Sequence, residues 1–111
     1  MSQTPIQSKK ICIEKAGAYD VLKWKDFILE APKDNEIQIE IVAFGVNYAD
    51  CLVRWGVYES AKKFVGWPIT PGFEFSGHIK VLGKNVKNFS VGDKVFGITR
   101  FGAYASSINV V

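Results

Sequence analysis

The run Glu36-Ile37-Gln38-Ile39-Glu40-Ile41-Val42-Ala43 decides the fold class. Ile37, Ile39, Ile41 and Ala43 fall on one face and Gln38, Glu40 and Val42 on the other, the period of two expected of a half-buried strand. Toward the N-terminus, residues 10–15 and 22–29 read as two further strands, joined through Ala16-Gly17-Ala18-Tyr19-Asp20. Pro32-Lys33-Asp34-Asn35 supplies the turn into the quoted run, with Pro fixing φ and Asn tolerating a left-handed backbone. Toward the C-terminus the alternation resumes, Phe73, Phe75, Gly77, Ile79 and Val81 against Glu74, Ser76, His78, Lys80 and Leu82. Gly83-Lys84-Asn85 and Val91-Gly92-Asp93-Lys94 then turn the chain, residues 95–99 form a short strand, and a last one runs through Tyr104 to Val110. Glycines at short intervals in this half suit strongly bent strands that wrap into a barrel. The fold class is mainly all-β.

One segment breaks the pattern. Asn47-Tyr48-Ala49-Asp50-Cys51-Leu52-Val53-Arg54-Trp55-Gly56 lacks alternation, starts on a good N-cap, carries an acid at the third helical position and ends at Gly, which predicts a short helix. Asp50 and Arg54, acid first and four apart, have the favourable spacing for a helix ion pair, worth about 0.2–0.5 kcal/mol when exposed.

The 111 residues, 48% apolar and 23% charged, suffice for one hydrophobic core, so the reading is a single domain over residues 1–111. Fourteen Lys and Arg against eleven Asp and Glu give +3, and the cations are spread from Lys9 to Arg100 with acids between them. Nucleic-acid readers concentrate such charge in a stripe, so nucleic acid is not an expected partner. Charges interrupt every apolar stretch before the length a transmembrane segment needs, and the first ten residues carry no apolar signal core; the expected location is cytoplasmic. Cys12 and Cys51 are too few for a disulfide framework and read as free thiols.

No self-contained catalytic motif appears: no Gly-x-Ser-x-Gly, no His-Glu-x-x-His and no glycine-rich phosphate loop opening a helix. His78, the sole histidine, sits by parity on the polar side of its strand and reads as a solvated residue.

The specific signal is the order of small features from Gly45 to Ala105. These are Gly45-Val46-Asn47-Tyr48-Ala49-Asp50, Arg54-x-Gly56-x-Tyr58, Pro71-Gly72-Phe73-Glu74-Phe75-Ser76-Gly77, Val81-x-Gly83-x-x-Val86-x-x-Phe89-x-x-Gly92-Asp93-x-Val95 and Gly102-Ala103-Tyr104-Ala105. In that order they resemble the medium-chain dehydrogenase/reductase superfamily. Within it the similarity is to the zinc-independent quinone oxidoreductase branch, which includes the vesicle amine transport protein homologues. The resemblance covers most of the chain and implies a GroES-like, partly open β-barrel with one or two short helices. It implies the substrate-side, alcohol dehydrogenase-like domain of an NADPH-dependent oxidoreductase acting on a quinone or enone. The family's Rossmann domain, which supplies the pyrophosphate site, is absent from this sequence and would be a partner in a longer protein.

Residue roles follow from the same resemblance. Zinc-dependent members place a Cys at the position of Asn47 and a His at that of Phe73, so no zinc is expected here. Asn47 matches an Asn at the cleft near nicotinamide and quinone, where a carboxamide can donate to a carbonyl oxygen. Capping alone also explains it, and the two roles are compatible. Tyr58 matches a Tyr lining the substrate pocket, equally readable as a loop aromatic covering the barrel end. Leu52 stands where some relatives carry another pocket Tyr and implies a more apolar cleft. Phe73, Phe64 and Trp67 would line or lid that cleft, and Phe64, Trp67 and Phe101 would form an exposed apolar rim open to self-association. Asp50, Arg54 and Glu74 read as structural support through ion pairing, and Cys51 as helix packing. A homo-oligomer is compatible with the family. The alternative is a non-enzymatic GroES-like binding or scaffolding module, since fold does not dictate activity. A co-chaperonin is poorer, because nothing marks a long mobile loop or a ring.

Overall fold

The computed structural model describes residues 4–111. The alternating run that opened the reading becomes β3, Ile37–Phe44, and its C-terminal counterpart becomes β4, Glu74–Leu82. Around them stand β1 (Ile6–Cys12), a single 3-10 turn (Tyr19–Val21), β2 (Lys23–Leu29), α1 (Tyr48–Arg54), α2 (Glu59–Phe64), β5 (Lys94–Ile98) and β6 (Ser107–Val110). The protein is mainly β with two short helices, as the resemblance implies.

β3 and β4 are the centre of a four-stranded sheet ordered β5-β4-β3-β6, antiparallel at every pairing. β1 and β2 form a separate antiparallel ribbon. The ribbon is tied to the rest by bridges at Lys10 to Ala105 and Ile13 to Ile69. With β5 and β6 left as sheet edges, the barrel is partly open.

The register explains the packing. Ile39 lies opposite Ile79 and Ile37 opposite Leu82, and Ile37, Ile39, Phe75, Ile79 and Ala103 make one buried cluster. Burying a side chain as completely as Ile79 contributes about 1.5–3 kcal/mol. Two register shifts, at Gln38/Ile39 and Ile41/Ala43, bend β3 and spoil the simple two-face picture. Gln38, expected on a polar face, is buried, and its Nε2 donates to the Glu30 carbonyl at 3.4 Å. Ala43, expected inside, is exposed beyond the second shift.

A second cluster joins Ile13, Val21, Val53, Ala61, Ile69 and Phe101, with Tyr58 and Phe73 packed against it. α1 belongs to it through Val53. Cys12 is buried, Cys51 is partly buried, and both are free thiols.

Element boundaries differ from the sequence reading at both ends of the chain, the last strand being Ser107–Val110 without Tyr104. The first strand spans Ile6–Cys12 in place of residues 10–15, because β2 pairs with it residue for residue from Ile6–Leu29 to Cys12–Lys23. Ile13 then leaves the ribbon to bridge Ile69. The second helix, Glu59–Phe64, has too few turns for its period to show in the sequence.

Candidate functional site

β3 ends at Phe44, and Gly45-Val46 carries the chain to Asn47, the N-cap of α1, in an extended conformation (φ −124°, ψ 156°). Asp50, at the third helical position, reaches back. Its Oδ2 accepts from the Asn47 backbone N–H at 2.9 Å and from the Tyr104 hydroxyl at 2.6 Å. The carboxylate is 5% exposed, and its Oδ1 is buried without a hydrogen-bond partner. Tyr104 also stacks on Phe44, ring centroids 4.4 Å apart. One side chain thus ties the end of β3, the start of α1 and the segment before β6 together around Asn47.

Sequence reasoning singled out Asp50 and missed its partner. Tyr104 lies 54 positions away, and only the motif Gly102-Ala103-Tyr104-Ala105 marked it. Burial pushes the Tyr104 phenol upward, and the hydrogen bond to Asp50, its charge and that of Cys51 push it further. The folded phenol therefore keeps its proton above pH 10.0, where an unfolded tyrosine ionises. Its contribution to stability is full below that pH and is lost as pH rises toward the folded value, because only the unfolded chain releases the proton there. We expect wild type to lose stability above pH 10.0 more steeply than Tyr104→Phe, read from urea midpoints on either side of that pH. Identical slopes would contradict this.

The ion pairs expected of Asp50, Arg54 and Glu74 are not formed. Arg54, also buried, donates from Nη1 to the Gly17 carbonyl at 2.8 Å. Its guanidinium lies 4.8 Å from the Tyr19 ring and 5.4 Å from that of Trp55. The carboxylate is engaged at the first turn of α1 and the guanidinium at the last, so neither is directed at the other. Glu74 is exposed at the start of β4. Among the described residues the ion pairs are Lys9–Asp26, Lys80–Glu40 and Lys84–Asp34, all on exposed side chains.

Two open depressions adjoin one another, and Asn47 lines neither. One, of about 660 Å³, runs over the outer face of the sheet between Phe44, Gly45 and Glu74 on one side and Phe96 and Ile98 on the other. Its apolar walls are largely uncovered, with Phe96 88% and Ile98 84% exposed. The second, of about 490 Å³, is lined by Tyr58, Ser60, Phe73, Thr99, Arg100 and Phe101 and shares Ile98 with the first. Phe73 lies 5.7 Å from Tyr58 and 5.2 Å from Phe101, centroid to centroid, so the structure brings these two predicted positions together. Leu52 is half-buried on α1 and lines neither depression.

Phe101 corrects the expected rim. Phe64 and Trp67 are 57% and 43% exposed, but Phe101 is only 6% exposed. Its backbone takes φ 67°, a left-handed value unusual for a bulky residue. The Thr99 hydroxyl donates to the Phe101 carbonyl, and the next N–H, of Gly102, donates to Thr70. This turn carries the ring inward onto Tyr58 and Phe73.

His78 lies on β4 opposite Glu40 and Lys94 in register, half-buried between the fully paired Gly77 and Ile79. Among the described residues no three His, Cys, Asp or Glu side chains gather into a group able to hold a metal ion. No helix among them is long and apolar enough to cross a membrane.

Comparison with known proteins accounts for this arrangement. Residues 33–108 match the family described as "Alcohol dehydrogenase GroES-like domain". The chain is 36% identical over 102 residues to the human synaptic vesicle membrane protein VAT-1 homolog-like, covering 92% of this chain and 24% of that protein. The crystal structure of the human VAT-1 homolog-like protein superposes with a TM-score of 0.85 at 28% identity, covering 95% of this chain and 33% of that one. Escherichia coli quinone oxidoreductase complexed with NADPH superposes with a TM-score of 0.82 at 33% identity, covering 92% and 30%. The chain spans about a quarter to a third of the length of the relatives it matches. A bent antiparallel sheet, an Asn-capped helix at its end and a family pattern running through both say the same thing: the chain belongs to the alcohol dehydrogenase GroES-like domain family of the medium-chain dehydrogenase/reductase superfamily.

Proposed function

We propose that the chain is the substrate-side part of a zinc-independent, NADPH-dependent quinone or enone oxidoreductase. What supports this reading is an apolar depression lined by Phe44 and Gly45, just ahead of the Asn47-capped helix, in a chain 33% identical to a quinone oxidoreductase crystallised with NADPH. A reduced nicotinamide, when bound, supplies a hydride to the conjugated carbonyl. The chain's own residues orient the acceptor and exclude water. Asn47, whose backbone N–H is held by Asp50, would offer its carboxamide to the acceptor's carbonyl oxygen. Such a donor stabilises negative charge as it develops on a carbonyl oxygen. Phe44, Phe96 and Ile98 line an apolar surface that continues past Ile98 into the depression of Tyr58, Phe73 and Phe101, where the body of the acceptor would lie.

The donor set suits an organic cofactor better than zinc. Asn47 and Phe73 hold the positions where zinc-dependent relatives have ligands, and a neutral amide and a hydrocarbon ring are poor zinc donors. The chain has no glycine-rich turn opening a helix, so it would touch only the nicotinamide end of NADPH. The pyrophosphate and ribose would be held by a Rossmann domain outside this sequence. We place the protein in the cytoplasm and allow it a homo-oligomeric assembly.

Two measurements test the reading. The 111-residue chain alone should show no NADPH binding by nicotinamide fluorescence and no turnover. Continuous with a dinucleotide-binding domain, it should oxidise NADPH in the presence of small quinones or enals. Silence across a panel of both compounds refutes the enzyme. That outcome would favour a non-enzymatic binding module, a reading supported by the likeness to a protein named for synaptic vesicle membranes.

A further inference from the structure

We infer that the depression floored by Tyr58, Phe73 and Phe101 selects conjugated carbonyl compounds that carry an anionic group, such as a carboxylate, sulfonate or phosphate. The carbonyl part of this statement rests on the function proposed above; the anionic part stands on the rim of the cleft. Phe64, at the end of α2, presents a ring that is 57% exposed. The Arg100 guanidinium lies 4.8 Å from its centroid and the Lys63 ammonium 5.5 Å, so two cations converge on one aromatic ring. Neither is in an ion pair with any described carboxylate. The single acid of α2, Glu59, sits at the opposite end of that helix.

Both cations rest on the Phe64 ring without a carboxylate partner, so their charge is available to an anion nearby. The position of this pair is not incidental to the cleft. Arg100 itself lines the depression, together with Ser60 and the three packed rings. The turn that sets Arg100 there is the one that holds Phe101 at φ 67° and turns its ring inward. One backbone feature therefore builds both the aromatic floor and the cationic rim. A flat conjugated body would lie against the floor while its anionic substituent reaches the rim. An uncharged quinone would use only the first of these contacts.

The test is a matched pair of probes, a naphthoquinone sulfonate and the same naphthoquinone without the sulfonate, titrated calorimetrically into the full chain at low and at physiological salt. The charged probe should bind about fivefold more tightly at low salt, the size expected of partly exposed charge pairs, and the gap should narrow as salt screens them. The double variant Arg100→Gln/Lys63→Gln should bring the two probes to equal affinity. Lys84→Gln/Lys87→Gln, which removes the same charge elsewhere, should leave the preference intact. Equal affinities in the wild type, a preference that survives the first double variant or vanishes in the second, or failure of both probes to bind would overturn the inference. No step of this test needs NADPH, so its failure is distinct from a failure to find hydride transfer.

Discussion

Gly77→Ala should cost the protein about 3 kcal/mol or more, seen as a large fall in the urea midpoint. Gly77 lies in the middle of β4, one of the two strands with neighbours on both sides, opposite Ile41 on β3 and Val95 on β5. A Cβ at this position would collide with the Glu40 carbonyl oxygen and lie 3.0 Å from Ile39 Cγ2. A side chain in the way can rotate, but a carbonyl in a paired strand moves only with the strand. Relief therefore means prising β3 from β4 at the point where Ile39 and Ile79 close the core. Overpacking costs about 1–3 kcal/mol when the neighbours are side chains, and a backbone obstruction belongs at or above the top of that range. Gly66→Ala is the control. Gly66 has φ 74° but open space around it, so only the conformational penalty applies, about 1 kcal/mol. Equal losses for the two variants would show that the close approach at Gly77 is not what requires glycine there.

The second large effect is at Asp50. Asp50→Ala should destabilise by about 2–4 kcal/mol, because the Asn47 N–H and the Tyr104 hydroxyl lose one shared acceptor. Hydrogen bonds to a charged acceptor contribute about 1.5–3 kcal/mol each. Against this stands the cost of a buried carboxylate whose Oδ1 finds no donor, which keeps the total below the sum of two such bonds. Asp50→Asn retains an oxygen for Tyr104 and should lose only about 1 kcal/mol. The informative experiment is the double-mutant cycle with Tyr104→Phe. The two changes break the same bond, so their combined loss should fall short of the sum by about 1 kcal/mol. Strict additivity would mean that the hydroxyl and the carboxylate do not support one another.

Much of this fold is visible in the order of residues alone. Ile37, Ile39 and Ile41 alternate with polar neighbours, and Phe75, Gly77 and Ile79 repeat the pattern, so two central strands are expected wherever the chain can bury one face. Asn47 and Asp50, three apart ahead of an apolar stretch, announce a helix start, and they cap α1 in the structure. That positions 47 and 73 hold Asn and Phe is an equally local fact. In each case the signal lies within one strand or one turn of helix, where the covalent chain sets the spacing.

The site's organisation is of another kind. Asp50 and Arg54 stand at ion-pair spacing, yet the carboxylate turns to Tyr104, 54 positions on, and the guanidinium to Gly17, 37 positions back. Gln38 is polar but buried, its amide donating to the Glu30 carbonyl eight residues back. Phe101 is apolar like Phe64 and Trp67, but only it turns inward, and the turn beside Arg100 decides that. Local periodicity set the elements, since strand and helix geometry fix which neighbours share a face. Which buried polar group meets which, and which aromatic ring floors the cleft, waited on tertiary packing. Those partners compete for the same donors and space across the chain, and only the folded register brings one of them within hydrogen-bonding reach.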